Sequence, residues 1–260
     1  MKVCVLGSGS SGNCIFVSSG ESKILIDLGL CASRVEKSLA VLGEDCANIS
    51  ILITHSHHDH TSGVESFCHR HPDAKIYCYG DSEYGVRGRI RSAQKNLSTF
   101  YGDFYIGDIT VSPFRVSHDV DCVGYSLLCA GKKITVATDL GVMTDSLVEN
   151  MADSDLVVIE SNHDERLLMA NPHYSPVLKR RILSDRGHLS NDTCARTVEK
   201  LVTAGVRQFV LAHLSPENNY PELAYQTTRD RLLERGLKEG VDYVLEIAGQ
   251  DRMSALFEII

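Results

Sequence analysis

The sequence predicts an α/β fold in which short buried strands alternate with helices. Three observations carry this reading. Apolar runs of strand length recur along the chain, from Val3-Cys4-Val5-Leu6 to Leu256–Ile259. Stretches with helical start and stop signals lie between them. Finally, a polar residue able to hold a metal ion or a proton stands just past one apolar run after another: Asp27, His55, His118, Asp139, Glu160 and His213.

The first strand, Val3 to Leu6, is followed by Gly7-Ser8-Gly9-Ser10-Ser11-Gly12, which matches the dinucleotide pattern G-x-G-x-x-G. That pattern needs a helix next, with its N-terminus under a pyrophosphate. The β-branched and aromatic run Asn13-Cys14-Ile15-Phe16-Val17 follows instead, then a turn at Ser19-Gly20 and the strand Lys23 to Ile26. No nicotinamide or flavin site is expected. A capping box, Ser33-x-x-Glu36, is expected to open a helix with Val35, Leu39 and Leu42 on one face and Gly43 as its stop. Strand Ile49 to Ile53 leads into the His-rich loop. A second capping box, Ser62-x-x-Glu65, is expected to open a helix that Pro72 ends. Ile76 to Tyr79 is a short strand before an Arg-rich segment.

Ile109 to Val111 and Phe114 to Val116 are extended and end at Ser117-His118-Asp119. Val123 to Cys129 pairs with Lys133 to Ala137 across an Ala130-Gly131 turn. A helix near Thr144 to Met151 precedes the strand Leu156 to Ile159. Leu167 to Arg186, polar and carrying Pro172 and Pro176, reads as irregular. Gly187-His188-Leu189-Ser190 introduces a helix with Ala195, Val198, Leu201 and Val202 inward and Gly205 as its stop. Strand Gln208 to Leu211 ends at Ala212-His213, a helix with Pro221 at its first position runs to about Arg235, and Tyr243 to Ile247 and Leu256 to Ile259 finish the sheet.

Composition bounds the function. A chain of 260 residues with 43% hydrophobic content can bury a sizeable core. Nothing resembles a signal peptide, and no apolar run approaches the roughly 20 residues that span a bilayer. Nine Cys, an odd number without a C-x-x-C pair, suit free thiols in a reducing cytosol. A cytoplasmic protein with no membrane partner is expected. The net charge of −8 argues against an all-over nucleic-acid-binding surface, though basic clusters occur at Arg87-Arg89-Arg91-Lys95 and Lys179-Arg180-Arg181. The plain reading of each cluster is a solvated face.

The chemistry concentrates in Thr54-His55-Ser56-His57-His58-Asp59-His60-Thr61. With only 11 His in the chain, four metal-capable groups in one loop point to a metal centre. By ligand count, His55 and His57 take one ion with His118. Asp59 and His60 take a neighbouring ion with His213, and Asp139 bridges. Two divalent ions would share a water and act on an in-line displacement. These His and carboxylate ligands admit Zn, Mn and Fe alike. His69 and His71 repeat the H-x-H spacing but read as surface residues; His58 is expected to point away. His163 and His173 are expected near the site without filling a ligand position.

The order H-x-H-x-D-H, a distant His, an Asp after a strand and a late His resembles the metallo-β-lactamase fold over essentially the whole chain. The resemblance implies one domain over residues 1–260, a four-layer αββα sandwich of two similar halves split near residue 130. It also implies that Asp27 supports the loop by hydrogen bonding and binds no metal. Glu160, with His188 in Gly187-His188-Leu189-Ser190 and His213 in Ala212-His213-Leu214-Ser215, resembles elements of tRNase Z and the β-CASP nucleases. There the Glu orients a His that assists the leaving oxygen of a phosphodiester. Asp59, Glu160 and His188 are accordingly the expected catalytic residues.

The Asp139–His213 stretch is too short for the β-CASP insertion, and no Gly/Pro-rich arm of the tRNase Z kind is present. Gly9-Ser10-Ser11-Gly12-Asn13, Ser117-His118-Asp119, Ala137-Thr138-Asp139-Leu140-Gly141, Glu160-Ser161-Asn162-His163-Asp164 and Arg181-Ile182-Leu183-Ser184-Asp185 together resemble the WalJ/YycJ subfamily. That resemblance implies a 5′-to-3′ DNA exonuclease with a metal-bridging hydroxide. Ser11, Asn13, Asn162 and Ser190 are then candidate substrate contacts. The competing reading is an ester, thioester or lactone hydrolase of the glyoxalase II type, which has no need of His188 or Glu160. A redox enzyme with iron and a flavodoxin partner finds no flavin motif here.

Overall fold

The computed structural model describes residues 1–260. Its elements are β1 (Lys2–Gly7), β2 (Cys14–Ser18), β3 (Lys23–Ile26), α1 (Ala32–Val41), β4 (Ile49–Ile53), α2 (His58–Thr61), α3 (Val64–Arg70), β5 (Lys75–Tyr79), α4 (Glu83–Arg89), β6 (Leu97–Phe100), β7 (Phe104–Ile106), β8 (Ile109–Val116), β9 (Cys122–Cys129), β10 (Lys132–Ala137), α5 (Asp145–Met151), β11 (Leu156–Glu160), α6 (Glu165–Ala170), α7 (Pro176–Ile182), α8 (Asn191–Thr203), β12 (Gln208–Ala212), α9 (Pro221–Glu234), β13 (Val244–Ile247) and β14 (Phe257–Glu258). They form two seven-stranded sheets, in the orders β14-β1-β2-β3-β4-β5-β6 and β13-β12-β11-β10-β9-β8-β7.

Strand alternation sorts the core into three layers. Val3 and Val5 of β1 and Val158 of β11 face the space between the sheets, with Leu52 and Tyr125. Cys4, Leu6, Ile49, Ile51 and Ile53 turn the other way, onto Val35, Leu39 and Phe67 of α1 and α3. Val157, Ile159 and Phe209 turn outward in the second sheet, onto Val198 and Leu201 of α8 and Leu232 of α9. Burial on both faces explains why these strands read as continuous apolar runs. The result is the expected helix–sheet–sheet–helix sandwich. No helix is long and apolar enough to cross a membrane.

Strand direction decides where the functional residues meet. β3, β4, β5 and β6 run parallel, as do β10, β11, β12 and β13. β8 is antiparallel to β9 and β9 to β10, so β8 shares the direction of β10. All the strand ends named above therefore open on one edge of the sandwich, where open α/β sheets carry their ligands.

Several sequence expectations change. The chain leaves the first sheet after Phe100 and enters the second at Phe104, whereas Ala130-Gly131 near the expected boundary turns a hairpin inside the second sheet. The short strands β6 and β7, which complete the two sheet edges, were not foreseen. β13 and β14 end different sheets: β14 returns to β1, with Ile259 N donating to Met1 O at 2.7 Å. Neither capping box forms. Cys31 occupies the N-cap of α1, and Glu36 pairs with Arg70 and His71. Gly63 caps α3, while Ser62 Oγ donates to Gly29 O and Glu65 accepts from Ser92. The stretch expected to be irregular holds α6 and α7; α7 buries none of its residues, so it lacks the apolar periodicity that marks a helix.

Tyr125 of β9 donates from its buried hydroxyl to Ile53 O of β4 at 2.7 Å, a direct tie between the sheets beneath the His-rich loop. Tyr125→Phe is expected to lower stability by about 1–2 kcal/mol. Urea unfolding measures it, and an unchanged midpoint would show that the bond contributes nothing.

Candidate metal centre

The His-rich loop is built on a buried carboxylate. Asp27 follows β3 with φ of 59°, a left-handed conformation uncommon outside glycine. Its Oδ1 accepts from Thr54 N at 2.8 Å; its Oδ2 accepts from Thr54 Oγ1 at 2.9 Å and from His60 Nδ1 at 2.7 Å. Thr54 Oγ1 in turn lies 2.9 Å from His55 Nδ1. Both imidazoles are thus held by Nδ1 and present Nε2 to the centre. Asn13 fixes the far side of the loop: its N–H donates to Asp59 O at 2.8 Å, and its side-chain amide meets Asp59 Oδ2 at 3.3 Å and His60 Nε2 at 3.1 Å.

The second sheet answers with its own strand ends. His118 Nδ1 donates to Gly187 O at 3.2 Å, leaving Nε2 at 3.4 Å from His57 Nδ1. Asp139 and His213 share the left-handed conformation of Asp27, with φ of 59° and 56°. Such backbone costs about 1–3 kcal/mol per residue and persists where surrounding contacts over-determine it. Glu160 supplies many of those contacts. It is fully buried, its Oε1 accepts from His188 Nδ1 at 2.8 Å and His213 Nδ1 at 2.7 Å, and its Oε2 accepts from Leu140 N and Leu189 N at 3.1 Å each.

These contacts bring all seven expected metal residues together. His55, His57 and His118 form one group with donor atoms within 4.8 Å of one another; Asp59, His60 and His213 form a second; Asp139 joins His55 and His60 in a third. Glu160, His188, His213 and Asp139 also cluster, but Glu160 has both oxygens committed to hydrogen bonds and is a poor donor to an ion. The fit to a metal shows in buried atoms that make no hydrogen bond: His55 Nε2, His213 Nε2, Asp139 Oδ2 and Asp119 Oδ1. Unpaired buried acceptors cost free energy in a folded protein, and three of these four belong to residues of the clustered donor groups. An all-N/O donor set of this kind suits divalent metal ions.

Electrostatics in the metal-free centre follow from burial and partners. Burial pushes the His213 imidazolium toward neutrality, but Asp139, Asp59 and Glu160 outweigh it and raise its pKa to about 10. His60 is likewise held well above its ordinary value by Asp139 and Asp27 against burial. Burial works against the Glu160 carboxylate too, yet His188 and His213 bring its pKa to about 2. His55, by contrast, is driven well below its ordinary value by burial and by the neighbouring His60.

A cavity of about 240 Å³ opens over the centre. His57, Asp59, His118, Asp139, His188 and His213 line it, with Asn162 as expected. Three proposed substrate contacts lie elsewhere. Asn13 is buried in the loop support, Ser190 caps α8 by accepting from Thr193 N, and Ser11 is exposed outside the cavity. Ser10, one residue earlier in the same turn, faces the cavity instead. Ser215, Tyr174, Arg181 and Arg186 also line it; the sequence marked Arg181 only as part of a basic cluster and of a family motif, and gave none of the four a substrate role. Asp119 carried no role in the sequence, yet its Oδ1 lies 3.2 Å from His57 Nε2 and 3.3 Å from His118 Nε2, and its other oxygen pairs with Arg181. His58 and His69 are exposed and His71 pairs with Glu36. His173 is exposed and His163 buried, neither in the cavity wall.

This fold and site define a class. Residues 23–214 match the family described as the beta-lactamase superfamily domain. Among curated relatives, the chain is 33% identical to "Exodeoxyribonuclease WalJ" of Streptococcus pneumoniae serotype 2 (strain D39), covering 99% of this chain and 98% of that one. It is 33% identical to "Exodeoxyribonuclease YycJ" of Bacillus anthracis, over 95% and 94%. The chain belongs to the beta-lactamase superfamily and, within it, to the WalJ/YycJ family. The solved structure of human tRNase Z, short form, superposes with a TM-score of 0.64 over 98% of this chain and 99% of that one; at 17% identity the likeness is one of fold.

A ligating imidazole must be neutral at the bound nitrogen, so divalent-ion binding is expected to displace protons from His213 and His60. The His213 pKa is raised to about 10, so its proton is present at pH 7 and affinity climbs as pH rises toward that value; His60 is shifted in the same direction. Calorimetry in buffers of different ionisation enthalpy reads the release directly. A binding enthalpy independent of buffer would contradict it.

Proposed function

We propose that the chain is a metal-dependent phosphodiesterase, a DNA exonuclease working from the 5′ end, with two divalent ions of Zn, Mn or Fe. His55, His57 and His118 would hold one ion, Asp59, His60 and His213 the other, with Asp139 between them. Bound there, such ions supply Lewis acidity toward a phosphoryl oxygen and a water of lowered pKa.

The observation that carries the phosphodiester reading is the Glu160–His188 pair. Glu160 holds His188 by Nδ1, so Nε2 is the nitrogen left for the half-exposed, cavity-lining edge of the ring. Burial would lower the His188 pKa, but Glu160 and Asp139 outweigh it and shift the ring toward its protonated form. A protonated imidazole in that position can deliver its proton to the departing 3′ oxygen. The same Glu160 holds His213, so one carboxylate fixes the proton donor relative to the proposed metal ligands. Asn162 is fixed beside them by donating to His213 O at 2.8 Å. Arg181 and Ser10 bring further donors to the cavity wall, suited to phosphate oxygens.

The names of the relatives support DNA as substrate. The cavity lining favours a phosphodiester over the glyoxalase II-type alternative, since Tyr174, Leu178 and Ile182 are its only hydrophobic members among fifteen.

Purified protein supplied with Mn²⁺ or Zn²⁺ is expected to release nucleotides from 5′-labelled duplex DNA. Asp59→Ala should abolish release and His188→Ala lower the rate by about 10²–10⁴-fold. Turnover of thioesters or lactones that is indifferent to His188→Ala, with DNA left intact, would overturn the reading.

A further inference from the structure

One wall of the cavity has no structural reason to look as it does. α7 buries none of its residues, and although it carries Val177, Leu178, Ile182 and the neighbouring Leu183, it adds nothing to the core clusters. Residues 176–187 hold Lys179, Arg180, Arg181 and Arg186 against a single carboxylate, Asp185, in a chain of net charge −8. The segment is nonetheless pinned. Arg186 donates from Nε to His118 O and from Nη2 to Asp119 O, both at 2.9 Å, Lys179 Nζ donates to Met169 O at 2.6 Å, and His188 N donates to Ile182 O at 3.0 Å.

We infer that the α6–α7 segment is the strand-gripping element for a nucleic acid, with Arg180 and Arg181 contacting backbone phosphates and Tyr174 stacking on a base. The inference rests on the nuclease reading above and names the surface that serves it. Leu178, Arg181 and Ile182 fall on one face of α7, and that face forms the cavity wall together with Tyr174. Arg181 is held over the cavity by its pair with Asp119, yet its side chain stays 58% exposed, so it keeps donors free for an incoming anion. Arg180 is exposed and has no partner of its own. The other basic cluster differs. There Arg87 is paired with Glu83, Arg89 donates to Ser56 O beneath the His-rich loop, and Arg91 and Lys95 are exposed, but none of the four lines the cavity. A charge surplus beside an aromatic face is the make-up of single-strand grooves. Arginine offers the forked donors that phosphate oxygens accept.

The test separates binding from chemistry. Fluorescence anisotropy of a labelled 5′-phosphorylated DNA with a single-stranded end is measured in EDTA, across a salt series, for the wild type and variants. Because α7 buries nothing, Arg180→Ala and Arg181→Ala are expected to keep the wild-type circular dichroism and melting temperature. Each should weaken binding and reduce the slope of log affinity against log salt by about one. Tyr174→Ala should weaken binding about tenfold with the slope unchanged, and Arg229→Ala on α9 should change neither. Wild-type binding with slopes unaltered in both Arg variants overturns the inference while leaving the nuclease reading intact. Absence of wild-type DNA binding overturns the inference as well. The nuclease reading fails separately, if metal-supplied wild type leaves DNA uncut.

Discussion

A carboxylate buried at the end of a parallel strand is tolerated only when its lone pairs are used, since an unpaired buried charge costs several kcal/mol. Glu160 meets that condition in full. It ends β11, is inaccessible to solvent, and accepts from two imidazoles and two backbone N–H groups that belong to three different stretches of chain. Those partners are the turn after β10, the approach to α8, and the residue after β12. Fixing one side chain therefore fixes Leu140 next to Asp139, His188 and His213 relative to one another. Removing the carboxylate would strand two raised imidazoles and two amides at once.

Asp27 plays the matching part in the first sheet. It binds Thr54 by two atoms and His60 by one, and through Thr54 it reaches His55. Each half of the sandwich thus carries one buried acceptor that faces its imidazoles by Nδ1 and turns their Nε2 atoms to the space between. Three of the six non-glycine residues with left-handed backbone, Asp27, Asp139 and His213, stand at the strand ends that form this centre. Strain of this kind is stable because hydrogen bonds on both sides of each residue leave no relaxed alternative.

Legibility in the sequence followed burial. β4, β11 and β12 are buried on both faces and announced themselves as apolar runs; α8 was readable from its inward positions and α9 from Pro221 at its start. Elements without a buried face were not readable. α7 has no apolar stripe, β7 has three residues, and the capping patterns at Ser33 and Ser62 were overruled by tertiary partners for Glu36, Ser62 and Glu65. Near the centre the same contrast holds. Clustered His and Asp in one loop mark themselves by chemistry, whereas Ser10 differs from Ser11 only in which way a turn faces. Arg181 and Tyr174 belong to the cavity only because a helix with no core contacts is tied down beside His118.

The sequence by itself determined the α/β class, most of the strands and the order of groups able to hold metal, because these depend on local apolar runs and on residue types at fixed spacing. Only the tertiary structure decided where one sheet gives way to the other, which atoms of each imidazole face the centre, and that Glu160 serves His188 and His213 together. The reason is physical. Those outcomes are set by strand direction and by hydrogen bonds between residues far apart in the chain, such as the 2.7 Å contact from His213 Nδ1 to Glu160 Oε1, and no local pattern encodes such a contact.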